Sequence, residues 1–165
     1  NGLAGELLDY SRGEIRLDMQ AVLVPTFLAR VEEYVGERLR SRGIELDIRS
    51  DVGRPVIMDE ERMLRVMMNL ADNARKAMPS GGTLSMSATS HEETVRFVVS
   101  DTGEGMAPEV LDRIFEPFYS KSQSGGTGLG MVIVKNVVEA HQGSLRVESS
   151  PKEGTTITIV LPSRT

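Results

Sequence analysis

Asp101-Thr102-Gly103-Glu104-Gly105-Met106, followed by a second glycine-rich run at Gly125-Gly126-Thr127-Gly128-Leu129-Gly130-Met131, decides how this chain is read. A carboxylate at the head of the first turn can accept a hydrogen bond from an amino group on a base. In the second run Gly126, Gly128 and Gly130 alternate just ahead of an apolar helical pattern. Bare backbone N–H groups and a positive helix end there suit a polyphosphate. Neither run is decisive alone. The second is not a Walker A loop, since no Gly-Lys-Ser/Thr follows, and Met131 stands where the dinucleotide-binding fingerprint has its last glycine. Asp-Thr-Gly is also the active-site triplet of aspartic proteases, but those sites pair two acids, so a single copy would require a homodimer. Ala107-Pro108-Glu109 matches a protein-kinase landmark by chance, because it lies too close to Asp101 and the other kinase signatures are missing.

Outward from these runs the pattern alternates between short strands and amphipathic helices. Ile15–Met19 alternates like a strand, and Pro25 opens a helical pattern to about Arg40. Ile44–Ser50 and Val56–Met58 read as a short strand pair around the Asp51–Pro55 turn. Asp59 caps a strong helix running to about Met78, which ends at Pro79-Ser80-Gly81-Gly82. Leu84–Ser90 and Thr94–Ser100 form a hairpin about His91-Glu92-Glu93, and Asp101 falls at the end of its second strand. Short helical pieces are expected between Met106 and Gly126. A helix over Leu129–His141, closed by Gly143, and a last hairpin of Leu145–Ser149 with Thr156–Leu161 complete the chain. This is an α+β pattern. It predicts a two-layer α/β sandwich, with a mixed, mostly antiparallel sheet covered on one face by helices.

The predicted helix beginning at Asp59 carries Met68-Asn69-Leu70-Ala71-Asp72-Asn73-Ala74-Arg75-Lys76-Ala77. Asn69 and Asn73 lie one turn apart on one face, as do Asp72 and Lys76. Asparagine is a mediocre helix former, so two on one face require a reason. One reason is coordination of Mg²⁺ by an amide carbonyl, with Lys76 beside a phosphate, because magnesium needs few protein ligands. Buried amides tying down a neighbouring loop are the other reason. In Ile114-Phe115-Glu116-Pro117-Phe118-Tyr119-Ser120-Lys121 the two phenylalanines suit an aromatic plug at the base of a mobile lid with its tip at Ser120–Gly126. Lys121 on that lid is a candidate for a terminal phosphate.

Taken together, these segments resemble the ATP-binding catalytic domain of a sensor histidine kinase. That domain belongs to the ATPase superfamily shared with gyrase B, Hsp90 and MutL, whose fold is the Bergerat type. The order is the family's: asparagine box, first glycine box, phenylalanine box, second glycine box, over about Asp59 to Leu161. The resemblance implies Mg-ATP as ligand, with Asn73 and Asn69 at the metal and Lys76 and Lys121 at phosphates. It implies Asp101 as the reader of the adenine amine. Gly103, Gly105, Met106, Phe115, Phe118, Gly126, Thr127, Gly128, Leu129 and Gly130 would shape the pocket, and Thr156 would line the base. ATP-hydrolysing relatives place a glutamate where Asn69 stands. An amide has no useful basicity near neutral pH, so the resemblance implies γ-phosphoryl transfer to a histidine rather than fast hydrolysis.

That acceptor is not found in this sequence. Ser90-His91-Glu92 imitates the family's phosphoacceptor motif but falls in a predicted hairpin turn, and His141 reads as structural. Asn1–Arg12 carries an apolar stripe without an N-cap and resembles the end of a dimerisation and phosphoacceptor hairpin. Residues 1–13 are therefore assigned to that hairpin and 14–165 to the catalytic domain. The implied partners are the missing hairpin, which makes the full-length protein a homodimer while this fragment stays monomeric, and a response regulator receiver domain. A serine kinase of the anti-sigma-factor type and a non-catalytic ATP/ADP-sensing module are the alternatives.

Composition agrees. The 165 residues carry a net charge of −5, which argues against a general nucleic-acid binder, and they contain no cysteine for disulfides or thiolate metal clusters. No apolar run reaches membrane-spanning length, so no membrane contact by this fragment and a cytoplasmic location are expected, whether or not the parent protein is anchored.

Overall fold

The computed structural model describes residues 15–119 and 129–163. Strand β1 (Gln20–Val22) leads into helix α1 (Val24–Arg40), followed by β2 (Ile44–Ser50), β3 (Val56–Met58) and helix α2 (Glu60–Ala77). Strands β4 (Gly82–His91) and β5 (Thr94–Asp101) come next, then the short α3 (Pro108–Leu111), helix α4 (Gly130–Ala140), β6 (Ser144–Ser149) and β7 (Thr155–Pro162). Five strands form one sheet in the order β2-β4-β5-β7-β6, while β1 and β3 form a separate antiparallel pair.

Alternation along the strands explains the layers. Leu84, Met86 and Ala88 of β4, Val95, Phe97 and Val99 of β5, and Ile157, Ile159 and Leu161 of β7 are all buried. Their chain neighbours point to the opposite face, so the sheet is apolar on one side only. The helices cover that side. Phe27, Leu28, Val31, Val35 and Leu39 form the buried stripe of α1, and Phe27 packs edge-on against Phe97 with ring centroids 6.1 Å apart. The stripe of α2 is Met63, Leu64, Val66, Met67, Leu70, Ala71 and Ala74. Methionine, unbranched and polarisable, fills the irregular space between helices and sheet.

Asp59 starts α2 as expected: its carboxylate accepts from the Arg62 N–H at 3.0 Å. Two strand expectations are corrected. Ile44–Ser50 and Val56–Met58 do not pair with each other. β2 instead runs parallel to β4, with Ile44 opposite Gly82 and Ser50 opposite Ala88, and β3 pairs with β1. A parallel pair needs a long crossover, and the α2 segment supplies it. The first strand is Gln20–Val22 rather than Ile15–Met19. A strand needs a neighbouring backbone, and β3 offers only three residues, which Gln20, Ala21 and Val22 take. The N–H of Asp18 goes to the Asp59 carboxylate instead, at 2.8 Å.

The division expected between residues 13 and 14 lies outside the described residues. No helix among the described residues is long and apolar enough to cross a membrane.

Candidate nucleotide-binding site

The predicted site residues fall in two clusters along α2, one where the turn after β5 meets its C-terminal end and one where the start of α4 meets Asn69. At the first, the β5–β7 register sets Asp101 directly opposite Thr155. The Asp101 carboxylate accepts the Gly103 N–H at 2.8 Å and that of Thr155 as well. Burial pushes this carboxyl above its ordinary value, and the two N–H groups oppose the shift without cancelling it. The result is an acid in a low-dielectric site, held by the backbone and aimed by it.

The turn after Asp101 is clamped from several sides. Glu104 N–H donates to the carbonyl of Ala77 at the end of α2, and Thr102 N–H donates to Thr83 O. Met106 N–H donates to Ser149 Oγ at 2.9 Å, and Lys152 N–H to Glu104 O at 2.7 Å. Gly105 takes φ 68°, and any Cβ there would run into the carbonyl of Ser150. Gly154 takes φ 75°, and its Cβ would run into the carbonyl of Asp101. Both positions therefore need glycine for conformation and for space. Gly103 lies as close to α2, since a Cβ on it would come within 2.6 Å of Ala77 O.

Thr156, the expected lining residue, is not brought to Asp101. Its hydroxyl meets that of Ser100 at 2.9 Å, on the sheet face away from the helices. Thr155 stands on the Asp101 side instead. Strand parity could have revealed this, since Asp101 and Thr155 both share the odd-numbered register of the buried Val99 and Ile157. Ser149, which ties Met106 to the β6–β7 turn, also carried no recognisable signal in the sequence.

At the second cluster, α2 presents Asn69 and Asn73 half-buried and Lys76 more exposed. The Asn69 Nδ2 is buried and has no hydrogen-bond partner among the described residues. A Cβ added to Gly130 would lie 4.0 Å from Asn69 Cγ, so the start of α4 rests on this amide. A buried amide donor without an acceptor is costly in a folded protein and marks a place where an acceptor is expected. Lys76 Nζ lies 3.3 Å from Asp72 Oδ2, and Arg75 binds the same carboxylate at 2.8 Å. Burial works to raise the Asp72 carboxyl, but Arg75 and Lys76 together hold it below its ordinary value. Lys76 must therefore exchange partners to reach a phosphate.

Leu129 is fully buried at the foot of α4. Phe115 is half-buried, with Lys135 Nζ of α4 5.6 Å from its ring centroid. Phe118 departs from the expected plug: it has φ 66° and is 62% exposed, so only Phe115 turns toward the fold. Lys121, Gly126, Thr127 and Gly128, together with the expected lid, lie outside the described residues.

Residues 58–165 match the family described as histidine kinase-, DNA gyrase B-, and HSP90-like ATPase. The sensor histidine kinase ZraS of Escherichia coli is 34% identical over 163 residues, which are 98% of this chain and 35% of that protein. Sporulation kinase A of Bacillus subtilis is 41% identical over 106 residues, 64% of this chain and 17% of that kinase. Among solved structures, full-length ShkA in complex with AMPPNP superposes with a TM-score of 0.86 at 32% identity, covering 99% of this chain and 35% of that one. The chain thus spans about a third of the length of ZraS.

Proposed function

Because this chain belongs to the histidine kinase-, DNA gyrase B-, and HSP90-like ATPase family, we propose that it is the ATP-binding catalytic part of a sensor histidine kinase. The single observation that carries this reading is that α2 holds both predicted clusters, with Ala77 accepting from the Asp101 turn and Asn69 lying against the start of α4. The half-buried Asp101 carboxylate stands at the first, and at the second the Asn69 amide, whose nitrogen finds no hydrogen-bond partner among the described residues, lies against the start of α4.

In this reading Asp101 accepts the adenine amine, and Asn69, Asn73 and Lys76 meet the phosphates. Asn73 and Asn69 offer amide oxygens that suit Mg²⁺, a hard cation served by oxygen ligands. When bound, the ion supplies neutralisation of phosphate charge. The chain's own side chains orient the γ-phosphoryl group toward an acceptor on a separate segment. The bond between the γ-phosphorus and the bridging oxygen breaks, a P–N bond to an imidazole nitrogen forms, ADP departs, and the imidazole loses its proton to solvent. Asn69 cannot accept a proton from water, so it favours transfer over hydrolysis. The acceptor hairpin, a homodimer built on it and a response regulator receiver domain are the partners this reading requires.

Transfer of label from [γ-³²P]ATP to a separately supplied phosphoacceptor hairpin tests the proposal. Labelled hairpin with wild-type protein, and at sub-saturating ATP at least about 10-fold less with Asp101→Asn, is the expected result. Failure of the wild-type chain to bind ADP at millimolar concentration would overturn it.

A further inference from the structure

The Ser149 hydroxyl uses every hydrogen-bonding position it has. It accepts the Met106 N–H at 2.9 Å, lies 2.9 Å from the carbonyl oxygen of Gly154, and lies 2.8 Å from Thr155 Oγ1. A hydroxyl has one proton to give and two lone pairs to receive with. The Gly154 carbonyl can only accept, so the single Ser149 proton goes there. The contact between the two hydroxyls is then satisfied in one direction only: Thr155 O–H donates to Ser149 Oγ.

With its proton committed to Ser149, Thr155 Oγ1 can offer only lone pairs to anything else. Its neighbour across the register, Asp101, is likewise an acceptor when ionised, and that carboxylate already holds the Thr155 N–H. The two acceptors face each other across the register, and among the described residues only backbone N–H groups donate to the Asp101 carboxylate. A base edge bearing an exocyclic amine brings N–H groups to such a pair, whereas a carbonyl oxygen at the same place would face lone pairs.

We infer that Ser149 is a specificity-determining positioning residue: by fixing the direction of the Thr155 hydroxyl it makes the base end of the site select an amine over a carbonyl. This rests on the proposed reading of the two clusters as an adenine-nucleotide site. Ser149 touches no base itself. Its effect passes through Thr155, and its grip on Met106 N–H holds the Asp101 turn against the β6–β7 hairpin at the same time. Without the serine hydroxyl, the Thr155 O–H is free to rotate and donate to a carbonyl oxygen.

ADP and IDP provide the comparison: inosine replaces the adenine amine with a carbonyl and turns the adjacent N1 from an acceptor into an N–H donor. That change is common to wild type and variants, so the inference is read from the change in the ratio between them. Calorimetric titration of the chain with each gives the ratio of dissociation constants. Wild type binds ADP more tightly. In Ser149→Ala the IDP-to-ADP ratio narrows by about 10-fold, the scale of one hydrogen bond gained or lost, and Ser149→Thr, which restores a hydroxyl, keeps the wild-type ratio. Thr155→Val also narrows the ratio, and adding Ser149→Ala to it changes the ratio no further, as expected when both residues act as one unit. If Ser149→Ala binds ADP with an unchanged ratio, the inference is overturned while the adenine reading stands. If Ser149→Ala does not fold by circular dichroism, Thr155→Val decides, and an unchanged ratio there is equally fatal. A wild-type chain that binds neither nucleotide, or both alike, overturns the adenine reading and the inference with it.

Discussion

The backbone N–H of Asp59 donates to Nε2 of His141 at 3.0 Å, joining the residue that caps the start of one helix to the residue that caps the end of another. The other ring nitrogen, Nδ1, donates to the Val137 carbonyl at 2.8 Å, which settles the tautomer. Asp59 and His141 are 4% and 5% exposed, so both bonds are made away from water. They pin the start of α2 to the end of α4, the two helices that bring Asn69 and Gly130 together. His141→Ala leaves a buried N–H unpaired and is expected to cost about 2 kcal/mol. Urea denaturation measures this, and a loss below about 0.5 kcal/mol would contradict the assignment.

Asp101 sets function against stability. Its carboxyl is pushed above the ordinary value of 3.8 by burial, so the folded state favours the protonated form. The charged acid therefore burdens the fold once pH rises through the folded value, and it contributes no such burden below 3.8. Asp101→Asn is expected to leave thermal stability at neutral pH unchanged or higher, while weakening ADP binding by about 10- to 100-fold, the range for a hydrogen bond to a charged group. A variant that melts earlier and binds normally would reverse both signs.

Asp72 behaves in the opposite sense. Arg75 and Lys76 hold its carboxyl below 3.8, so its contribution to stability is present above that pH and is lost as pH falls through the folded value. The group is half exposed, which keeps the effect under about 1 kcal/mol. Melting curves of wild type and Asp72→Asn should differ slightly at pH 7 and converge in acid. The same substitution releases Lys76, and a resulting rise in ADP affinity is the expected sign.

Gly154→Ala combines a strained φ with a collision against the carbonyl of Asp101. It should cost more than about 1 kcal/mol and displace the acid from its place beside Thr155. Nucleotide affinity should fall with stability. Gly53→Ala is the control, because a Cβ at Gly53 meets nothing within 4 Å.

Asn69→Glu introduces a group able to accept a proton where the amide cannot. The expected outcome is a rise in ATP hydrolysis without any histidine acceptor, measured by phosphate release. No rise in a folded, ADP-binding variant would separate this position from the chemistry.

The sequence made the glycine turns, the asparagine pair and the amphipathic helices legible because each rests on local spacing. Asp59 as a cap and Asp101 at a strand end needed nothing beyond their neighbours. Partner choice was harder. Val56–Met58 looked like the mate of Ile44–Ser50 because a turn lies between them, yet burial of Ile44 against the sheet favoured the parallel register with β4. Thr155 and Thr156 are adjacent and alike, and only the register with β5 decides which one faces Asp101. Ser149 acts through hydroxyl protons shared across a turn, and no spacing rule encodes that. The exposure of Phe118 follows from a positive φ that its residue type does not announce.

The clamp between the Asp101 turn and the β6–β7 hairpin also sets an order of assembly during synthesis. Residues 59–101 leave the ribosome well before Ser149, Gly154 and Thr155, yet the partner of the Met106 N–H and the second N–H on the Asp101 carboxylate, that of Thr155, are supplied by that later hairpin. Domains form progressively as the chain emerges. A nascent chain that has released α2 and β5 but not β7 carries the Asp101 turn without the Ser149 and Thr155 contacts that hold it, so the setting of this acid is among the last features the growing polypeptide acquires.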